Sequence, residues 1–546
     1  MQAIAVDMAD LDALLHSATE RPLNKDEHKK LKAAITTLGY LTQLVEQKNM
    51  SIQRLRQMLF GAKTEKIGNV VKTGSNADPA ASDPQEPSAT VPGVQKPGAA
   101  EPVAKPEPKP GHGRNGADTY TGANHIRIDH PDLCAGAPCP ACEQGKVYDM
   151  PPKLLVRVTG QAPLQATVNE MQKLRCNLCG DIFTAPTPEG IGEQKYDERA
   201  ASMISVLKYG SGMPFYRQQR LQENLGIPLP ASTQWEIVES AARAIKPVYE
   251  ELIRYAAQGD VIHNDDTTAK ILTLMKENAQ RDPSSADTRT GIFTSGIVSV
   301  TGKRQIALFF TGKQHAGENL SDVLAHRAAA IGPPTQMCDA LTRNQPESRF
   351  ETILSNCNAH ARRKYVEAAP QFPDECKFVL EILAQVYRTD GLCKLQGLSD
   401  PMRLLVHQID SGPLMTQLHD WLEEQFAQRK VEPNSGLGQA ISYMLNHWSK
   451  LTLFLRRTGV PLDNTVVERA LKMAILHRKN AMFYRTQKGA DVGDLFMTLI
   501  YTCQLCRANP FEYLTALLQH QTDLEHDGPK WMPWNYTEAL QHADAT

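Results

Sequence analysis

Apolar residues near the start of the chain recur every seven positions. One seam reads Leu31, Leu38, Val45, Ile52 and Leu59, and the second reads Ala34, Leu41, Lys48 and Leu55. With Glu46, Gln47, Gln53 and Arg54 between them, the spacing predicts an amphipathic helix of about 30 residues. It fits either a dimerising coiled coil or a lone helix packed on its own domain. The pattern then stops. Nine prolines fall from Pro79 to Pro110, and no Phe, Tyr or Trp occurs between Phe60 and Tyr120. Such a stretch cannot bury enough apolar area to fold, and it predicts an extended linker.

Helical periodicity returns over residues 200–258. Pro214-Phe-Tyr-Arg-Gln-Gln-Arg-Leu-Gln-Glu-Asn-Leu leads through Gly226-Ile-Pro-Leu-Pro230 into a second helix, where Thr233 and Glu236 have capping-box spacing. Helix, glycine turn and capped helix fit a helix-turn-helix, and equally an ordinary helical pair. From Asp260 to Gly312 the period becomes that of strands. The runs are Val261-Ile-His, Ile271-Leu-Thr-Leu, Gly291-Ile-Phe-Thr-Ser-Gly-Ile-Val-Ser-Val and Gln305-Ile-Ala-Leu-Phe-Phe. A helix over 317–330, a short strand over 335–338 and a nearly all-helical remainder after Ala359 follow. Together they predict a mixed α/β core with a long helical insertion.

Composition narrows the class. The 546 residues, 41% hydrophobic and 22% charged, suit about three or four folded units. No uncharged apolar run reaches the ~20 residues needed to cross a bilayer, and the N-terminal residues lack the basic start and apolar core of a signal peptide. A membrane or secreted protein is not expected. Fifty-nine Lys and Arg against 61 Asp and Glu leave −2, which as an average speaks against a nucleic-acid binder. The distribution speaks otherwise. Between 453 and 490, Arg456, Arg457, Arg469, Lys472, Arg478, Lys479, Arg485 and Lys488 face only Asp463 and Glu468, a local +6. A second cluster, Arg362-Arg363-Lys364, follows Cys357-Asn-Ala-His360, a C-x-x-H that fits either metal binding or a positioning role.

Two cysteine pairs, Cys139/Cys142 and Cys176/Cys179, each form a short knuckle followed by a glycine, Gly145 or Gly180. An odd total of 11 cysteines without a secretory signal disfavours a disulfide framework. Four thiolates in two knuckles suit a closed, tetrahedral, structural Zn²⁺ site of the zinc-ribbon kind, with Cys134 a spare ligand. A redox dithiol competes, opposed by the presence of two pairs. Cys503/Cys506 has the same spacing but sits in an apolar helix and reads as core.

Carboxylates form the other constellation. Asp265 follows Val261-Ile-His-Asn, and Asp339 follows Pro334-Thr-Gln-Met-Cys. The carboxyl end of a strand is where open α/β sheets place functional groups, and also where turn or cap aspartates fall. Glu468 has two readings. Its spacing from Thr465 fits a capping box and its spacing from Lys472 a helix-surface ion pair. A glutamate in a basic helical face also fits phosphodiester cleavage, where carboxylates hold Mg²⁺ and nearby cations hold phosphate.

Taken in order, these motifs resemble the transposases of the insertion sequence 66 family along nearly the whole chain. The resemblance is carried by Leu55-Arg-Gln-Met-Leu-Phe-Gly-Ala-Lys-Thr-Glu-Lys66, the cysteine knuckles, Lys208-Tyr209 with Pro214-Phe-Tyr-Arg-Gln218, and Asp265-Asp-Thr267. Cys357-Asn-Ala-His-Ala-Arg-Arg-Lys364, Asp463-Asn464 through Glu468-Arg469, Arg478-Lys-Asn480 and Asn509-Pro-Phe-Glu-Tyr-Leu514 complete it. Three positions depart from the family pattern: Asp266 stands for a glutamate, Thr465 for an asparagine, and Asp339-Ala-Leu lacks the usual glycine and aromatic.

The resemblance implies a multidomain α/β protein with an RNase H-like mixed-sheet catalytic core, a long helical insertion, a zinc-ribbon module and an N-terminal coiled-coil helix. The expected segments are a helical 1–66, a Pro-rich linker 67–119, a zinc-binding 120–190 and a helical 191–258 with helix-turn-helix character. The core would run over 259–365 and 453–520, interrupted by an insertion at 366–452 and followed by a tail over 521–546. The implied catalytic triad is Asp265, Asp339 and Glu468, holding two Mg²⁺ (or Mn²⁺) ions, with Cys139, Cys142, Cys176 and Cys179 on Zn²⁺. Arg362, Arg363, Lys364, Arg469, Lys472, Arg478 and Lys479 would contact DNA. The implied function is metal-dependent cleavage and strand transfer at the ends of a mobile element. The alternatives are an inactive DNA-binding regulator and a nuclease without strand transfer. The expected partners are element-end and target DNA, further copies of the chain in a homodimer or larger assembly, and small accessory proteins of the same element. The expected location is the bacterial cytoplasm, on the nucleoid when DNA-bound.

Overall fold

The computed structural model describes residues 134–138, 140, 146–148, 163–175, 182–186, 194–280 and 289–543. The expected coiled coil, the linker and all four knuckle cysteines lie outside these residues. Two compact units are present. The smaller contains the cysteine-bearing segment and Gln219–Leu229. Within it β1 (Lys173–Arg175) pairs antiparallel with β2 (Ile182–Thr184), and Pro138 bridges Lys146 beside Gly136, whose φ of 91° turns the chain. Cys134 is exposed.

The larger unit opens with α1 (Glu198–Ser205), capped by Asp197, whose carboxylate accepts from the Ala200 N–H at 2.7 Å. Helix α2 (Phe215–Asn224) and the long α3 (Ala231–Ala257) occupy the positions expected of the helical pair. The expected capping box at Thr233 is not formed. Pro230, with φ fixed at −57°, takes the N-cap position three residues earlier, so Thr233 falls inside the first turn of α3.

Five strands make a mixed sheet in the order β5-β4-β3-β6-β7. They are β3 (Val261–Thr268), β4 (Phe293–Thr301), β5 (Arg304–Gly312), β6 (Thr335–Cys338) and β7 (Ile353–Asn356). The first three form an antiparallel meander, and β6 and β7 add in parallel. Ile262, Ile297, Val298, Ala307, Leu308, Phe309 and Met337 are buried in it.

Two expectations need correction here. Ile271-Leu-Thr-Leu was expected as a strand, but residues Leu272–Ala279 form helix α4, leaving only Ile271 bridged to Tyr484. A short apolar run does not distinguish the two periods, and the Leu-Met-Lys-Glu-Ala content favours helix. Asp265 was expected just past a strand, but β3 continues through it to Thr268 because β4 pairs with it along its full length. Strand β7 was not foreseen, since Ile353-Leu-Ser-Asn is too short to show a period.

Helix α5 (Ala316–Leu324) links β5 to β6. After β7 come α6 (Asn358–Ala368), α7 (Pro373–Leu395), α8 (Asp400–Val406), α9 (Gly412–Ala427) and α10 (Gly436–Asn446). Their apolar faces share a cluster that includes Tyr365, Leu380, Leu383, Leu418, Leu422, Ile441 and Met444. The chain then returns through α11 (Thr465–Ala481), which packs on β3 and β4, and α12 (Gln487–Cys506), which covers β5. Cys503 is buried in α12, as its apolar surroundings predicted. Helices α13 (Pro510–Gln519), α14 (Gln521–Asp527) and α15 (Tyr536–Ala543) close the chain. The tryptophans near the C-terminus dock on their own unit. Tyr513 Oη donates to the Trp531 carbonyl at 2.8 Å, and Trp534 lies edge-on to Tyr255 at 5.4 Å and beneath the Arg304 guanidinium at 4.2 Å. No helix among the described residues is long and apolar enough to cross a membrane.

Candidate active site

Strand alternation sorts the two adjacent aspartates of β3 onto opposite faces. Asp266 is almost wholly buried and is satisfied by protein: it accepts from Ser295 Oγ at 2.7 Å and faces His315 Nδ1 at 2.9 Å. Asp265 faces α11. The parallel register pairs His263 with Met337, so two residues further on Asp265 lies level with Asp339, just past the end of β6. Burial pushes the Asp265 carboxyl up to about 7, against the Asp266 N–H that donates to it at 2.8 Å, and the charges of Asp339, Asp266 and Glu468 push the same way. Three carboxylates thus converge from β3, the β6 terminus and the first turn of α11.

Each arm of this arrangement is held by neutral polar groups. Asp339 Oδ1 accepts from the Leu341 N–H at 3.0 Å and from Asn344 Nδ2 at 2.5 Å. Asn344 is anchored in turn, its carbonyl accepting from Asn264 Nδ2 and from Gln336 Nε2, both at 2.7 Å. Asn464, fully buried before α11, fixes the third arm. It meets His263 Nδ1 at 3.1 Å, donates to the Asn264 carbonyl at 3.0 Å, and its N–H points at Cys357 Sγ at 3.2 Å. Burial holds His263 neutral, down to about 4, and raises the Cys357 thiol to about 12.

Neither structural reading of Glu468 is realised. Thr465 Oγ1 donates to Asp463 at 2.6 Å, no side chain caps α11, and Glu468 and Lys472 form no ion pair. Instead Glu468 Oε1 lies 3.7 Å from His360 Nδ1. That is too long for a direct hydrogen bond, and both atoms are buried without a hydrogen-bond partner. Cys357, His360 and Glu468 present ligand atoms within 4.8 Å of one another. Cys357 is already occupied as an acceptor from Asn464, which favours the positioning role for the C-x-x-H pair.

Gly296 makes this approach feasible, a role that no sequence pattern marks. It pairs directly with Asp265 across β3 and β4. A Cβ there would lie 2.9 Å from Leu471 Cδ2 and 3.1 Å from Val467 Cγ2, both on the α11 face that carries Glu468. Asn464, Asn344 and Gln336 were likewise missed. Buried amides of this kind carry no spacing signature; only the presence of Asn464 next to Asp463 in the motif could have pointed to one of them.

The expected phosphate-contacting residues separate into groups. Arg363 and Lys364 are exposed on α6, and Lys364 Nζ lies 4.6 Å above the Tyr443 ring. Arg469, Lys472 and Lys479 are exposed on α11. Arg478 is engaged inside the protein, donating to Thr267 Oγ1 at 3.2 Å and to Thr268 Oγ1 at 2.5 Å, which ties α11 to the end of β3. Arg362 is half-buried on α6.

A family model described as Transposase IS66 family matches residues 194–492. The chain belongs to this transposase family. The matched span contains Asp265, Asp339, Glu468, both basic clusters and all the helices between α6 and α11. Among curated relatives, the uncharacterized protein y4hP of Sinorhizobium fredii is 27% identical over 434 residues, 76% of this chain and 75% of its own length. The uncharacterized protein y4jD of the same organism is 26% identical over 381 residues, 66% of this chain and 70% of its own.

Proposed function

We propose that this IS66-family chain is a DNA transposase that cuts at the ends of its own element and joins them to target DNA, with Asp265, Asp339 and Glu468 as the catalytic carboxylates. The observation that carries the reading is their convergence: a half-buried carboxylate cluster in which burial and the charges of Asp339, Asp266 and Glu468 push Asp265 up to about 7. The antiparallel meander extended by two parallel strands supports the RNase H-like core that the resemblance implies.

The residues present fit divalent metal ions. All the donors are carboxylate oxygens, which suit Mg²⁺ or Mn²⁺, and Glu468 Oε1 has no hydrogen-bond partner. When bound, such ions would supply Lewis-acid activation of a water or 3′-hydroxyl and stabilise the leaving oxygen. The protein's own part is positioning. Asn344 and the Leu341 N–H orient Asp339, Asn464 fixes the start of α11, and Gly296 lets the helix come close enough for Glu468 to face Asp265. Exposed Arg363, Lys364, Arg469, Lys472 and Lys479 lie on the two helices that supply His360 and Glu468, where they would hold the phosphate backbone. In cleavage water attacks the phosphodiester and leaves a 3′-hydroxyl; in strand transfer that hydroxyl attacks target DNA, forming one P–O bond as another breaks.

The smaller unit fits a structural zinc module. Its β1–β2 pairing and its Pro138–Lys146 bridge bracket in sequence the two knuckles, Cys176/Cys179 and Cys139/Cys142. Action on the bacterial nucleoid, in a homodimer or larger assembly, follows from the same reading.

The test is a strand-transfer assay on element-end DNA with Mg²⁺. Joined products are expected from the wild type and from none of Asp265→Ala, Asp339→Ala or Glu468→Ala, with DNA binding retained. Binding without cutting would make the chain a regulator, and cutting without joining would make it a nuclease.

A further inference from the structure

A cavity of about 470 Å³ adjoins the carboxylate cluster. One wall is the loop after β6, with Asp339, Ala340 and Leu341; the second is α6, with His360, Arg363, Lys364 and Glu367; the third comes from the helical insertion, with Tyr443 on α10 and His447 just beyond it. The triad accounts for Asp339, but nothing in it accounts for the far wall.

That wall is aromatic. The Tyr443 and His447 rings lie 4.9 Å apart at 59°. Burial and the nearby Lys450 and Lys364 push the His447 imidazole below its usual range. Leu341 is 45% exposed and adds an apolar surface at the rim. The cations are on the α6 side. Arg363 makes no hydrogen bond or ion pair among the described residues, and Lys364 rests only on the Tyr443 ring. Two rings, an apolar rim and two available cations are what a nucleotide requires: stacking for a base and charge for its phosphate. The volume falls within the ~300–1,000 Å³ of small-ligand sites. A base still stacked in a duplex cannot enter such a recess, so its occupant must be unstacked.

We propose that this cavity receives a single extruded nucleotide of the DNA strand flanking the scissile phosphodiester, its base against Tyr443 and His447 and its phosphate on Arg363 and Lys364. The proposal rests on the transposase reading and deepens it. It gives the helical insertion a direct role at the site, as the wall that holds the flanking strand beside Asp339.

The test uses full-length protein and element-end duplexes carrying 2-aminopurine singly at each position around the cut. Binding should raise the fluorescence at one flanking position, with the signal lost in Tyr443→Ala and retained in Tyr443→Phe. Cleavage by Tyr443→Ala should slow by about fivefold to a hundredfold on the intact end and recover on an end abasic at that position. Arg363→Ala, an exposed change with little bearing on folding, should weaken the same signal and serves if Tyr443→Ala fails to fold. Fluorescence that stays at the duplex level at every position, on DNA that is bound and cut, would overturn the cavity's role and leave the transposase reading standing. So would a Tyr443→Ala defect that is equal on intact and abasic ends. A protein that neither binds nor cuts element ends would fail the transposase reading and take the cavity with it.

Discussion

Removing one charge from the carboxylate cluster should stabilise the metal-free protein while abolishing its chemistry. Asp265→Asn is the clearest case. Burial and the neighbouring carboxylates move this group from 3.8 to about 7, roughly three pH units at about 1.4 kcal/mol each. Above neutrality the ionised side chain therefore carries a penalty of at most ~4 kcal/mol. Asparagine keeps an Oδ1 to accept the Asp266 N–H, so the native hydrogen bond survives. Side-chain relaxation and water entry would recover part of the penalty, leaving a net gain of about 2 kcal/mol, or about 4 °C in Tm. The sign with pH is fixed. A carboxyl whose folded pKa is raised is least unfavourable below its unfolded pKa, so the wild type loses stability as pH rises from about 4 to about 7, and no further above that. The advantage of the variant should accordingly grow from about pH 4 to about pH 7, stay full above neutrality and vanish below about pH 4. Scanning calorimetry of both proteins in chelator, at about pH 5 and pH 8, measures this directly. Millimolar Mg²⁺ should raise the wild-type Tm and leave the variant nearly unmoved, since an ion bound only to the folded state adds RT ln(1 + [L]/Kd). A chelated variant that melts at or below the wild type at pH 8 would refute the repulsive cluster, and one that still cuts DNA would refute the role of Asp265.

Other changes separate scaffold from chemistry. Asp266→Asn disturbs the contacts to Ser295 and His315, at a cost of about 1–3 kcal/mol in denaturant unfolding, yet should leave Mg²⁺-dependent cleavage close to wild type below the melting transition. Gly296→Ala drives a Cβ into Leu471 and Val467 and should cost about 1–3 kcal/mol; measured rates should show cleavage falling well below binding, because α11 is pushed from Asp265. Asp494, buried on α12, is raised to about 8 by burial despite hydrogen bonds from the Thr311 N–H at 2.5 Å and Thr311 Oγ1 at 2.6 Å. Wild-type stability should therefore fall as pH rises from about 4 through 8, and urea titrations of Asp494→Asn should show that slope flattened.

What the sequence disclosed depended on the range of each interaction. The strands over 293–301, 304–312 and 335–338 were legible because their apolar runs are long or sharply bounded. The 272–279 helix was misread because its apolar start was taken out of a context supplied by Tyr484, more than 200 residues away in sequence. The three carboxylates could be named from motif order, but the means of their convergence could not. Asn464 reaches His263 and Asn264 across about 200 residues, and Gly296 matters only because a helix from the far end of the chain lies over it.

The same limit explains the charge balance. A net −2 argued against DNA, and the local +6 argued for it; the fold shows that neither sum is the relevant quantity. Within that basic stretch Arg478 is committed to Thr267 and Thr268, and Lys488 is paired with Glu239. Arg469, Lys472 and Lys479 face solvent on α11, while Arg363 and Lys364 face solvent on α6. Exposed cations thus sit on the two helices that supply Glu468 and His360. A duplex held by both sets would cross the mouth of the carboxylate cluster, and its flanking strand would meet the cavity that the insertion closes. Charge pattern, sheet register and the placement of the insertion thus support the same proposed site beside Asp339.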